Sequence, residues 1–181
     1  MSHKLPPIPK LQVDGLAFRQ WEPADIATVL EASTDPYIIA TTSIPDECTE
    51  ADAADYVARQ PDRITQGDGY SLAISNMPGP AIGQIGLWLA DMKHGIAALG
   101  YWVVPSARGK GVAAVALRTL SDWALGELGL ARAQVFIEPW NTASIRTAER
   151  AGFTREGTLR SWREYAGKRR DMDVLSRVSP Q

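Results

Sequence analysis

The stretch "VVPSARGKGVAAVALRTL", residues 103–120, sets Gly109 and Gly111 around Lys110, with Arg108 before them and a small-residue helical pattern behind. Glycine removes side chains where backbone must approach a ligand, and it admits positive φ where a turn needs it. A helix that follows at once presents unpaired N–H groups and a partial positive charge at its first turn. Arg108 and Lys110 add donors and charge, so the segment holds the parts of a diphosphate cradle. It has neither the G-x-x-x-x-G-K-[ST] pattern of a P-loop nor the G-x-G-x-x-G of a dinucleotide fold. Taken alone, it reads equally well as a glycine-rich surface turn whose basic residues serve solubility.

A second constellation lies in "EPWNTASIRTAERAGFTREGTLR", 138–160. Asn141 is placed to cap a helix, which puts Ser144 at the third helical position with its hydroxyl close to the helix start. Metal chemistry has few ligands to draw on. Cys48 is the single cysteine, excluding an intramolecular disulfide and any multi-cysteine metal site, and His3 and His94 are the two histidines. No metal site is expected.

The elements that must position these residues follow from periodicity and punctuation. Residues 15–21 read as a strand, and Pro23 opens a helix with Ile26, Val29 and Leu30 on one face. "STDPYIIATTSIPDE" is expected to be irregular. Thr49 and Asp52 form a capping-box signature before a helix whose apolar stripe runs through Ala53, Tyr56 and Val57, and Pro61 should end it. Strands are predicted at 70–75 and 81–90 around the "NMPGP" turn, and at 95–104. A helix over 111–128 carries Val112, Ala116, Leu120 and Trp123 on one side and stops at Gly129. A strand at 131–138 precedes the Asn141-capped helix, with Ile145, Ala148 and Ala151 facing in and Gly152 as its stop. Strands at 153–159 and 172–178 flank a polar turn at "YAGKRR". The order β-α-α-β-β-β-α-β-α-β-β predicts a mixed α/β sheet covered by helices.

At 181 residues the chain is expected to form a single domain, 1–181, with 1–13 as a Pro-rich lead-in. Nineteen basic against twenty-one acidic residues and a pI near 5.7 give no electrostatic footprint for nucleic acid. No apolar run approaches the ~20 residues of a membrane span, so no membrane partner is expected. "MSHKLPPIPK" lacks the apolar centre of a signal peptide, and a cytoplasmic location is the expectation.

"RGKGVA" fits the Q/R-x-x-G-x-G/A signature of the GCN5-related N-acetyltransferases (GNAT), with Arg108, Gly111 and Ala113 at its named positions. The 138–160 segment resembles the "P-x-N-x-x-S … GF … EG-x-x-R" pattern of the RimJ/RimL-type branch, the ribosomal-protein N-terminal acetyltransferases. "LGYWVVP" is similar to the strand before the glycine turn in that branch. The resemblance runs from about residue 15 to 178. It implies a GNAT-like, mostly antiparallel central sheet of about seven strands flanked by about four helices.

The resemblance further implies acetyl-CoA as cosubstrate and a primary amine as acceptor. Backbone N–H groups of Arg108, Gly109, Lys110, Gly111, Val112 and Ala113 would hold the pyrophosphate. Trp102, Val103 and Val104 would pair with the pantetheine arm, the Val103 N–H also polarising the thioester carbonyl. Asn141 would contact the arm, and Ser144 would sit near the sulfur as candidate acid. A capping asparagine and an exposed helix serine are the plainer readings of these two.

The base is unassigned. Many relatives carry a glutamate where this chain has Ala98. Asp46, Glu47, Asp91, His94 and Glu164 are candidates, each also readable as a surface residue, and a water chain would remove the need for one. Trp123 is expected in the core; Trp21, Trp88 and Trp162, at strand ends or edges, are candidates for an acceptor cleft, although core packing is the better reading for each. The acceptor is read as a peptide N-terminus or a small-molecule amine, with the segments 38–47 and 163–168 shaping its site. The alternative to an enzyme is a non-catalytic acyl-CoA-binding sensor or scaffold. Acyl-chain preference, and whether the chain is a monomer or a homodimer, are left open.

Overall fold

The computed structural model describes residues 5–8, 10–165 and 167–179. His3, part of the Pro-rich lead-in and Ala166 of the last polar turn lie outside the described residues. Strands β1 (Leu11–Val13) and β2 (Leu16–Arg19) come first, followed by a 3₁₀ turn at Pro23–Asp25. Helices α1 (Ile26–Ala32), α2 (Pro36–Thr41), α3 (Glu50–Arg59) and α4 (Asp62–Gln66) precede strands β3 (Gly69–Asn76), β4 (Ala81–Trp88) and β5 (Ile96–Val103). After α5 (Val112–Gly126) come β6 (Arg132–Ile137), α6 (Thr142–Arg150), β7 (Thr154–Tyr165) and β8 (Lys168–Val178). The strands form a mixed, mostly antiparallel sheet in the order β1-β2-β3-β4-β5-β6-β8-β7, with β5 and β6 parallel.

Among the described residues there are eight strands and six helices, against the about seven and about four read from sequence. The additions are short. The stretch expected to be irregular contains α2, because the Asp35 carboxylate caps it by accepting from Tyr37 N at 2.8 Å and Ile38 N at 3.3 Å, with Pro36 at its first position. Pro61 does end α3, and it then opens the five-residue α4. The last two strands run longer than predicted, to 12 and 11 residues, because their polar tips pair across the hairpin.

The chain divides into two compact units, residues 1–86 with 101–112, and residues 87–100 with 113–181; β4 and β5 each contribute to both. In the first unit β2 lies antiparallel between β1 and β3. Asp25, fully buried, is its polar anchor. Its two oxygens accept from the Arg19 guanidinium at 2.8 and 2.9 Å, from Glu22 N at 2.9 Å and from Ala81 N at 2.8 Å. Burial alone would raise the Asp25 pKa, but these donors outweigh it and hold the carboxyl below its ordinary value. Thr49 and Asp52 cap α3 as predicted, and its Ala53, Tyr56 and Val57 face is buried. On α1 the buried face is Thr28, Val29 and Ala32, one step round from the predicted stripe.

In the second unit β6 pairs with β5 on one side and with β8 on the other, and β7 closes the edge. Val112, Ala116, Leu120 and Trp123 of α5 are buried, as predicted. On the sheet, Glu156 accepts from both Arg132 terminal nitrogens at 2.8 and 2.5 Å and from the Ser176 hydroxyl, which together bring its pKa down to about 2. A carboxyl held below its unfolded value stabilises the fold fully above about 4.5 and loses that contribution as pH falls toward about 2. Urea midpoints should therefore drop between pH 5 and pH 3, and Glu156→Gln should narrow that drop. An equal drop in both proteins would remove this pair from the account.

Candidate active site

The site builds from the end of β5. Val104 N donates to Ile82 O at 3.0 Å, and the β4 backbone approaches so closely at Gly83 that a Cβ there would stand 2.4 Å from the Trp102 carbonyl oxygen. Behind this crossing lies a buried polar network. The Gln84 side-chain oxygen accepts from the Trp102 indole N–H at 2.7 Å and from the Tyr56 hydroxyl. The Gln84 amide donates to Ser71 Oγ at 2.8 Å; Ser71 donates to Gln60 Oε1 at 2.7 Å, and Gln60 Nε2 returns to Tyr56 O at 2.7 Å. Burial pushes the Tyr56 hydroxyl up to about 12. Trp21 packs edge-on to Tyr56 and tilted against Trp102, at centroid distances of 5.7 and 5.9 Å. One glutamine thus fixes the rotamer of Trp102 in the strand expected to meet the pantetheine arm.

The turn follows directly. Pro105–Ala107 makes a single 3₁₀ turn, with Ala107 N donating to Val104 O and Arg108 N to Pro105 O. Gly109 and Gly111 hold φ of +79° and +78°, the left-handed region, and α5 begins at the next residue. A Cβ at either glycine would meet nothing within 4 Å, so conformation rather than crowding demands glycine there. Gly109, Lys110 and Gly111 are exposed, Val112 is buried and Ala113 half-buried.

Arg108 has a role that sequence reading did not find. Its Nε donates to Val103 O at 2.9 Å, and its Nη2 meets Asp35 at 2.6 Å, 73 residues away in sequence. With Ser106 N donating to Glu31 at 2.9 Å, this ties the turn to α1 and the α2 cap. Its side chain is engaged with protein groups, so the donors left at the turn are chiefly backbone N–H groups, with Lys110 beside them.

In the second unit Asn141 caps α6, its side-chain oxygen accepting from Ser144 N at 3.1 Å, and its own N–H donates to Glu138 O at 2.9 Å. Ser144, the third residue of the helix, is half-buried. Trp102, Val103, Val104 and the turn through Val112 stand together in the first unit; Ala113, Asn141 and Ser144 belong to the second.

The sequence candidates for a base are all exposed: Asp46, Glu47, Asp91, His94 and Glu164. Glu164 lies 3.6 Å from Arg169. Ala98 is half-buried and pairs with Gln134 across β5 and β6. Glu138 was missed. It is buried at the end of β6, three residues before Asn141, and stands 3.7 Å from Arg170 Nε. Gln84 was missed too; a lone polar residue inside "AIGQIGLWLA" was the available signal. Of the tryptophans, Trp21 and Trp123 are buried, Trp88 is half-buried, and Trp162 is 51% exposed. Among the described residues no helix is long and apolar enough to cross a membrane.

Known proteins share this architecture. The family model described as acetyltransferase (GNAT) domain matches residues 16–154. The chain is 27% identical to the uncharacterized N-acetyltransferase p20 of Bacillus licheniformis over 168 residues, 92% of this chain and 94% of that protein. The solved structure of the microcin C7 self-immunity acetyltransferase MccE, in complex with acetyl-CoA and AMP, aligns with a TM-score of 0.79 at 20% identity, covering 92% of this chain and 93% of that one. RimL, a ribosomal L7/L12 α-N-protein acetyltransferase in complex with coenzyme A, aligns with a TM-score of 0.78 at 19% identity, covering 92% and 96%. At these identities the two structures report likeness of fold.

Proposed function

The chain belongs to the acetyltransferase (GNAT) domain family, and we propose from this that it is a single-domain, cytoplasmic, acetyl-CoA-dependent N-acetyltransferase acting on a primary amine, with a peptide or protein N-terminus as the favoured acceptor. One observation carries the reading: a strand runs into a turn with both glycines in the left-handed region, and the 15-residue α5 starts at once. That arrangement suits a diphosphate, because it leaves backbone N–H groups at a helix start without side chains in front of them. The coenzyme A-bound fold neighbours support the choice of cosubstrate, and RimL supports the choice of acceptor.

Bound acetyl-CoA supplies an activated acyl group as a thioester, with a thiol as leaving group. The N–H groups of Gly109, Lys110, Gly111, Val112 and Ala113 hold its pyrophosphate, the Arg108 N–H being engaged by Pro105 O within the preceding turn. Trp102, Val103 and Val104 hold the arm, with Trp102 locked from behind by Gln84. The Val103 N–H faces the oxygen that gathers charge. Asn141 orients the arm, and the Ser144 hydroxyl passes a proton to the departing sulfur while regaining one from water. That demand is modest, since a thiol with a pKa near ~8.5 leaves readily. The amine must shed a proton before attack, and water takes it.

Acetyl-CoA titration and an acceptor screen read by free-thiol release test this. Ser144→Ala should lower kcat about 100-fold, the low end for a general acid, with acetyl-CoA affinity unchanged. Failure to bind acetyl-CoA would end the reading. The alanine at 98 favours a second one, a non-catalytic acyl-CoA-binding module. Binding without thiol release across a broad panel of amines and peptides would select it.

A further inference from the structure

We propose that the β7–β8 hairpin is a docking surface for an acidic peptide segment, belonging to a protein acceptor and lying close behind its reactive amine. The substrate assignment rests on the transferase reading; the docking itself does not. Over residues 160–171 Arg160, Arg163, Lys168, Arg169 and Arg170 stand against Glu164 and Asp171, so the segment is net positive by three in a chain of net charge -2. The first four of these basic residues are exposed, and Arg170 is half-buried. Glu164 neutralises little: its contact with Arg169 is 3.6 Å long and solvated on both sides.

The surface is shaped as well as charged. In a regular strand Trp162 and Arg163 would point to opposite faces. The pairing of β7 with β8 shifts register between Leu159 and Arg163, Ser161 sits at φ +51°, and its N–H is held by the Asp171 carboxylate at 2.8 Å. This bulge brings both neighbours over Phe136 of β6. The Trp162 ring stacks on Phe136 at 6.0 Å and 24°, and the Arg163 guanidinium lies 5.2 Å from the same ring centroid. Trp162 remains 51% exposed. An indole preset by stacking beside exposed cations offers an apolar seat with partners for carboxylates around it, at low ordering cost.

Continuity places the surface beside the candidate chemistry. Arg170 of β8 reaches Glu138, whose carbonyl accepts the N–H of Asn141. The patch therefore runs on to the start of α6, where Asn141 and Ser144 lie. Charge complementarity selects an acidic chain as occupant. A polynucleotide would need a broader basic field than a chain of pI near 5.7 supplies elsewhere.

The test uses fluorescein-labelled decapeptides whose residues 3–8 are acidic, neutral or basic, each made with a free and an acetylated N-terminus. Anisotropy should show the acidic peptide binding at least tenfold tighter than the neutral one, blocked or free, with affinity falling as salt rises. Trp162→Ala should weaken it about tenfold while acetyl-CoA affinity stays unchanged. The charge reversal Arg163→Glu with Arg169→Glu should transfer preference to the basic peptide, a gain that a merely damaged fold cannot produce. Equal binding of the three peptides would overturn the proposal. So would tighter binding of a single-stranded oligonucleotide, or sedimentation showing the hairpin covered by a second copy. Docking of blocked peptides without thiol release from free ones would keep the surface and reject the transferase reading. Thiol release with no charge preference would do the reverse.

Discussion

Gly111→Trp should abolish high-affinity acetyl-CoA binding, by at least about 100-fold, while leaving a folded protein. The backbone at 111 has φ +78°, where a residue with a Cβ pays roughly 1–2 kcal/mol of conformational strain. A Cβ at 111 meets nothing within 4 Å and the position is exposed, so the main expected cost to the fold is that strain, a fall in Tm of about 2–8 °C. The ligand loses more. Relaxation of the turn re-aims the N–H groups around Gly111, and each charge-assisted bond to a phosphate contributes about 1.5–3 kcal/mol. Two such bonds account for the expected loss. Gly111→Ala should fall between, with about tenfold weaker binding from strain and partial re-aiming alone. Calorimetric titration beside a thermal melt separates the two effects. Unchanged affinity in Gly111→Trp would take the diphosphate away from this turn.

Gln84→Leu is the second large effect, and here stability should fall first. Leucine nearly matches glutamine in volume, so the change isolates hydrogen bonding. It strips the acceptor from two buried donors, the Tyr56 hydroxyl and the Trp102 indole N–H. An orphaned buried donor costs about 1–3 kcal/mol, so the loss should be about 2–6 kcal/mol, seen as a Tm lower by about 5–20 °C. Freed of its anchor, Trp102 samples other rotamers, and acetyl-CoA affinity should weaken several-fold with it. Tyr56→Phe alone removes one donor and leaves Gln84 bonded to Trp102, so it should be milder. The double variant Tyr56→Phe, Gln84→Leu should cost less than the sum of the singles, because both act through one network. Additive costs would mean that the network contributes nothing as a unit.

These two residues differ in how visible they are in the sequence. Gly111 announces itself: glycine before a small-residue helical run, after a basic pair, is a local pattern with a local cause. Gln84 is visible only as a polar interruption in an apolar strand, and its partners Tyr56 and Trp102 lie 28 and 18 residues away. Arg108 shows both sides. Its place in the signature was readable, but the carboxylate that engages its side chain belongs to Asp35, inside a stretch expected to be irregular. The α2 helix escaped because six residues carry too little periodicity to register, whereas its Asp35 and Pro36 start signals were there to be read. The exposed bulge that turns Trp162 onto Phe136 left no mark in the residue pattern, since a register shift between strands is a property of the pair.

The amino-acid order by itself determined the type of every element except the short β1, α2 and α4, together with the caps of α3 and α6, the glycine turn and the family. Each depends on neighbours within a few residues, through backbone sterics, helix-end hydrogen bonding or periodic burial. Only the tertiary structure decided which side chains Gln84 and Arg108 engage, that Glu138 is buried beside Arg170, and that a basic, aromatic hairpin tip faces outward. Those outcomes depend on strand register and on contacts between residues tens of positions apart, where pattern in one segment says nothing about the partner that another brings to it.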